Sequence, residues 1–125
     1  LLKFGGLKVM PTPLADNQIT TQDTYQPVCE FDTPSFYTRL TIQLFEGDLN
    51  VDTGVLTGVH NAQYKLSASN VSGSGTLKAL VSDVALAAGG VEYEELLTGW
   101  AHVVVYAKSA SAGQAAKVRC VVTGT

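Results

Sequence analysis

Apolar and polar positions alternate with a period of two through much of this chain, the pattern of strands with one buried face. The clearest run is Phe36 to Phe45. Phe36, Leu40, Ile42 and Leu44 fall on one face with Thr38, and Tyr37, Arg39, Thr41 and Gln43 fall on the other. Near the C-terminus, Trp100 to Lys108 and Ala115 to Thr123 read as two more strands, joined by a polar loop over Ser109 to Gln114. On the last strand Val118, Cys120 and Val122 alternate with Lys117, Arg119 and Val121. Shorter strands are expected at Val28 to Phe31, Val55 to His60 and Gln63 to Ala68, the last with Tyr64, Leu66 and Ala68 inward.

Two stretches read two ways. Leu77, Leu80, Val81, Val84 and Ala88 fit helical spacing, with Thr76 as a cap and Gly89-Gly90 as a stop. The same residues also read as a strand, Leu77-Ala79-Val81, with a turn at Ser82-Asp83, and the neighbouring strands favour that reading. Glu92 to Leu97 is short and left undecided. The expected fold is therefore all-β, an antiparallel β-sandwich or jelly-roll-like barrel. The alternative is an α+β fold with one helix near residues 77–88.

Residues 1–26 differ from the rest. Gly5-Gly6, Pro11, Pro13 and a polar run from Asp16 to Gln26 interrupt regular structure, and Leu7 to Met10 has room for only a short edge strand. Prolines lack the ladder donor that a central strand needs. The segment reads as an extended N-terminal arm, ahead of a single β domain over residues 27–125. Such an arm needs a surface to lie on, its own body or a neighbour, and its contact residues are expected to be Leu7, Val9, Met10, Pro11 and Pro13.

Composition sharpens this picture. Only 15% of the 125 residues are charged, against roughly 25% in an average soluble domain. A neutral exterior can be covered by other subunits without stranding charges. Net charge is −3 and the eight basic residues are scattered, which argues against nucleic-acid binding, where Lys and Arg cluster to displace counterions. No apolar run approaches the ~20 residues of a membrane span.

Candidate chemistry is sparse. Asp48, Asn50 and Asp52 place oxygen ligands at alternate positions, as a calcium loop does. The following Gly54 is one residue late for an EF-hand, however, and Val59 stands where a bidentate Glu is needed. A strand with those three facing solvent is the preferred reading, so no metal and no cofactor is implied. Glu92, Glu94 and Glu95 cluster beside Tyr93 but read as a solvated edge. His60 and His102 lack further ligands at zinc spacing. No nucleophile elbow or phosphate loop is present. Asn70-Val71-Ser72 matches a glycan acceptor triplet. Trp100, Tyr106, Tyr37 and Tyr25 are candidates for a sugar-stacking platform, although core or interface packing is preferred. Cys29 and Cys120 are either a disulfide across the fold or two small buried hydrophobes.

Together these features point away from an enzyme. They favour a structural subunit of a large assembly, such as a viral or phage capsid, cement or decoration protein, with copies of itself or other coat subunits as partners and the virion as its location. The alternative is an extracellular carbohydrate-binding or adhesion module.

Overall fold

The computed structural model describes residues 13–50, 52–58, 62–71, 77–86, 90–97, 99–111 and 113–125. Ten strands form: β1 (Ala15–Thr20), β2 (Gln26–Asp32), β3 (Arg39–Glu46), β4 (Asp48–Asn50), β5 (Val55–Thr57), β6 (Ala62–Ser69), β7 (Lys78–Ala85), β8 (Val91–Leu97), β9 (His102–Ser109) and β10 (Lys117–Gly124). Among the described residues there is no helix, and hence none long and apolar enough to cross a membrane.

Two four-stranded sheets, ordered β1-β10-β3-β8 and β2-β9-β6-β7, pack face to face, and β4 and β5 form a separate hairpin. Every pairing is antiparallel. From β1 to β10 the chain changes sheet at each step between the eight main strands except at the β6–β7 hairpin. That winding is the two-Greek-key connectivity of a jelly roll.

Period-two patterning decides what lies between the sheets. Leu40, Ile42 and Leu44 of β3 and Val118, Cys120 and Val122 of β10 turn inward. Tyr64, Leu66 and Ala68 of β6 and Val103, Val105 and Ala107 of β9 meet them from the second sheet. Each fully buried Leu or Val contributes roughly 1.5–3 kcal/mol, so this double layer is the main stabilising element. One end of the sandwich is closed by polar groups instead. Thr21 and Ser109 hydroxyls lie 2.7 Å apart, and buried Glu46 accepts the backbone N–H of Ala62 at 2.6 Å, reaching from β3 to β6. These bonds satisfy groups that would otherwise be costly to bury.

Several expectations need correction. Among the described residues of 77–88 the alternative helix does not form: β7 occupies Lys78–Ala85, in line with the strand reading, but it continues as strand through Ser82-Asp83, where a turn was expected. Its helix-like spacing arises because Asp83 adopts a left-handed conformation (φ 55°) and the β6–β7 register shifts nearby. The strand expected from Phe36 begins at Arg39. The backbone turns at Pro34, with Tyr37 N–H donating to the Pro34 carbonyl, and Phe36 is left 74% exposed. The polar run from Asp16 is not irregular. Ala15–Thr20 pairs along β10 in register, with Ile19 opposite Val118, and Gln26 opens β2. Trp100 precedes β9 and packs half-buried against the core.

Candidate assembly surface

A sandwich of open sheets has four edges, each a row of unpaired backbone groups unless something blunts it. The β2 edge carries Pro27 and a register shift between Pro27 and Cys29. The β7 edge is kinked at Asp83. The β1 edge lies against β2, where the Asn17 side-chain amide donates to the Val28 carbonyl at 2.9 Å. The β8 edge keeps a continuous register with β3 from Arg39–Leu97 to Phe45–Val91. It is guarded by charge: Glu92 and Glu94 project toward the interior side and are half-buried, and Glu95 is exposed on the outer face.

The outer face of the first sheet is formed by alternate residues of its four strands. It carries three basic groups: Arg119 and Lys117 are paired with acids, and Arg39 is exposed opposite Leu97 of β8. Arg119 grips the Asp16 carboxylate with two bonds of 2.9 and 2.7 Å, which hold Asp16 below the usual carboxylate range. Lys117 meets Asp48 at 2.5 Å. Toward β8 apolar side chains join the face, alongside exposed Arg39 and Glu95. Phe45 and Val91 are register partners and half-buried, while Tyr93 is 60% and Leu97 71% exposed. The Gln43 amide donates to the Tyr93 hydroxyl at 2.8 Å and fixes that ring on the sheet.

The outer face of the second sheet carries two clusters. His102 is buried between carboxylates, with Nδ1 2.7 Å from Asp32 and Nε2 2.9 Å from Glu30. Burial disfavours its protonation, but the two carboxylates outweigh that and raise the imidazole above its ordinary value. Farther along, Tyr25 crosses the sheet from ahead of β2 to bond Asp83 on β7 at 2.5 Å. Burial and the Asp83 bond push its phenol up to about 12. Its ring meets Tyr106 edge-on at 6.5 Å. The Lys65 ammonium lies over both rings, and that of Lys108 lies over Tyr25. These stacked ammonium groups compete with any sugar for the tyrosine faces.

The other candidates are scattered. Asp48 is taken by Lys117, and the Asn50 side-chain oxygen accepts the N–H groups of Asp52 and Thr53 in a local turn. Among the described residues no three His, Cys, Asp or Glu side chains converge as a metal would require. Tyr37 and Trp100 line an open groove of about 410 Å³ with Thr33, Pro34 and Gly99, away from Tyr25 and Tyr106. Asn70 is exposed. Pro13 is exposed, whereas Leu7, Val9, Met10, Pro11, His60 and Ser72 lie outside the described residues. Cys29 and Cys120 are both buried and unbridged.

Two features escaped the sequence reading. The β8 surface was legible in principle, since Val91, Tyr93, Glu95 and Leu97 alternate with Glu92, Glu94 and Leu96. The His102 cluster joins residues 70 and 72 positions apart. Its only local sign is the Glu30-Phe31-Asp32 alternation, which puts two acids on one strand face.

No family model and no curated protein matches the chain. Among solved structures it resembles that of the infectious bursal disease virus Gt strain, at 14% identity over 90% of this chain with a TM-score of 0.47. It also resembles the Gx strain structure, at 15% over 92% with a TM-score of 0.46. A third is the VP2 subviral particle of the same virus, at 16% over 88% with a TM-score of 0.43. The chain spans 30% of the length of each. The jelly-roll assignment rests on the strand order described above.

Proposed function

We propose that this chain is a structural, non-enzymatic module of a large assembly, a coat, cement or decoration protein of a virus or phage, and that it works through contacts with copies of itself or other coat subunits in the virion. The observation that carries the proposal is the β8 margin of the first sheet: a regular edge bearing Tyr93 and Leu97 beside a face on which two of the three basic groups, Arg119 and Lys117, are already paired. The apolar part of that margin can be covered by another subunit with little desolvation cost, and Arg39 and Glu95 are left to be matched by charge. A jelly roll by itself supports several functions, so the weight falls on this surface.

The occupant we propose for the β8 edge is the N-terminal arm of a neighbouring copy, with Leu7, Val9, Met10, Pro11 and Pro13 as contact residues. Residues 1–12 carry Lys3 and Lys8 and no acid, whereas β8 carries three glutamates. An added strand satisfies the free edge with backbone hydrogen bonds. Lysine opposite the glutamates gives it a charge match that β8 cannot have with a second β8.

The test is charge reversal in the full-length chain, read by light scattering. Lys8→Glu lowers the assembled mass under conditions where the wild type associates, and adding Glu95→Lys restores it. Assembly unchanged by Lys8→Glu would contradict the arm's role.

A further inference from the structure

We infer that Cys29 and Cys120 are a modification site: when the chain folds under oxidising conditions they join in an intramolecular disulfide that clasps the two sheets together. Cys29 lies on β2 in one sheet and Cys120 on β10 in the other. Strand alternation turns both side chains into the interior, where both are buried. The Cys29 thiol donates to the Cys120 backbone carbonyl at 3.4 Å. The Cys29 sulfur therefore reaches across the gap between the sheets to the Cys120 residue itself.

The surrounding backbone is fixed. Asn17 stands opposite Cys120 in the β1–β10 ladder, and its side chain donates to the carbonyl of Val28, the residue before Cys29. A disulfide requires close Cα atoms and Cβ vectors pointing at each other. Both positions are inward on strands of facing sheets, Asn17 ties those strands together, and the Cys29 sulfur already lies against Cys120. The chain-separating distance of 91 residues means the bond would restrict the unfolded chain far more than the folded one.

The chemistry balances with a small disulfide such as oxidised glutathione as the oxidant. The Cys29 thiolate attacks one glutathione sulfur and releases a glutathione thiolate. Cys120, losing its proton, then attacks the Cys29 sulfur of the mixed disulfide and releases the second. The protein loses two hydrogens and the oxidant becomes two molecules of reduced glutathione. Because neither sulfur reaches solvent in the folded chain, exchange takes place while the chain is folding or transiently open.

The test uses the full chain, refolded from denaturant in a mixture of reduced and oxidised glutathione, then alkylated and weighed by mass spectrometry. The expected product has lost two hydrogens, is unalkylated and monomeric by covalent mass, and yields one cross-linked peptide pair containing Cys29 and Cys120. Its urea midpoint lies above that of the same protein treated with dithiothreitol, and the difference disappears in a Cys29→Ala/Cys120→Ala variant. A product alkylated at both cysteines, carrying glutathione, or cross-linked between chains would overturn the inference. The experiment is independent of the assembly proposal, since it reads a bond within one chain.

Discussion

The hydroxyl of Tyr64 on β6 donates to the carboxylate of Glu94 on β8, so a single hydrogen bond ties the second sheet to the outermost strand of the first. Burial and the Glu94 carboxylate both push the Tyr64 phenol above its ordinary value, and it stays a donor through the neutral range. The bond also anchors β8, the strand proposed to receive a neighbour. Tyr64→Phe keeps the ring in the core and leaves Glu94 without this donor. The expected cost is about 1–3 kcal/mol, measured by urea unfolding. A Tyr64→Phe protein as stable as the wild type would show that the bond adds nothing.

His102 gives the fold a pH-dependent component. Its folded value is raised by Asp32 and Glu30 of β2, while its register partner on β6 is Ser69, which carries no charge. A raised group contributes stability that is fully present below its unfolded value and is lost as pH rises through the folded value. The window therefore opens near the ordinary imidazole value of about 6.5 and closes at the raised one. The urea midpoint of the wild type is expected to fall as pH rises from about 6.5 through the raised folded value, and to fall less in His102→Asn. Equal pH dependence in the two proteins would remove His102 from the account.

Gly47 joins β3 to the β4–β5 hairpin at φ +110°, and a Cβ there would sit 2.1 Å from the Thr57 carbonyl oxygen. Both the conformation and the space demand glycine. Gly47→Ala is expected to destabilise the chain by more than about 1 kcal/mol, with the thermal midpoint as readout. An unchanged midpoint would mean that the hairpin shifts freely.

Glu46 is fully buried and accepts the Ala62 N–H. Glu46→Ala strands that donor and opens a gap beneath the hairpin. The expected loss is about 1–3 kcal/mol from the hydrogen bond alone, larger than for Asp52→Ala on the exposed turn. Comparable losses at the two sites would contradict the packing described.

What the sequence revealed follows from which strands own a buried face. The interiors of β3, β6 and β10 alternate plainly because each sets at least three apolar side chains against the opposite sheet. β1 stayed hidden. As an edge strand it turns only Ala15 and Ile19 toward the core as apolar residues, and its inward Asn17 is used for a cross-sheet bond. What holds it is the β10 ladder and the Asp16–Arg119 pair, neither of which exists before the chain folds. In β7 the left-handed Asp83 shifts the phase of the apolar residues, and period-two reading fails there. The neutral character of the surface was visible in composition. Which of its few charges are neutralised depended on which basic residues found acids, as Arg119 and Lys117 do, and that is decided by pairing across strands.

The β1 result also moves the boundary at which the arm should be cut. Removing residues 1–26 would take away a strand of the first sheet, so the arm's role is best read in the intact chain. The most direct measurement is the solution mass of the 125-residue chain by light scattering across a concentration series, with electron microscopy of the heaviest fraction. The account predicts a mass that climbs from the 13.2 kDa monomer to a defined oligomer or shell-like particle. A monomer at every concentration, under the same conditions, would contradict it.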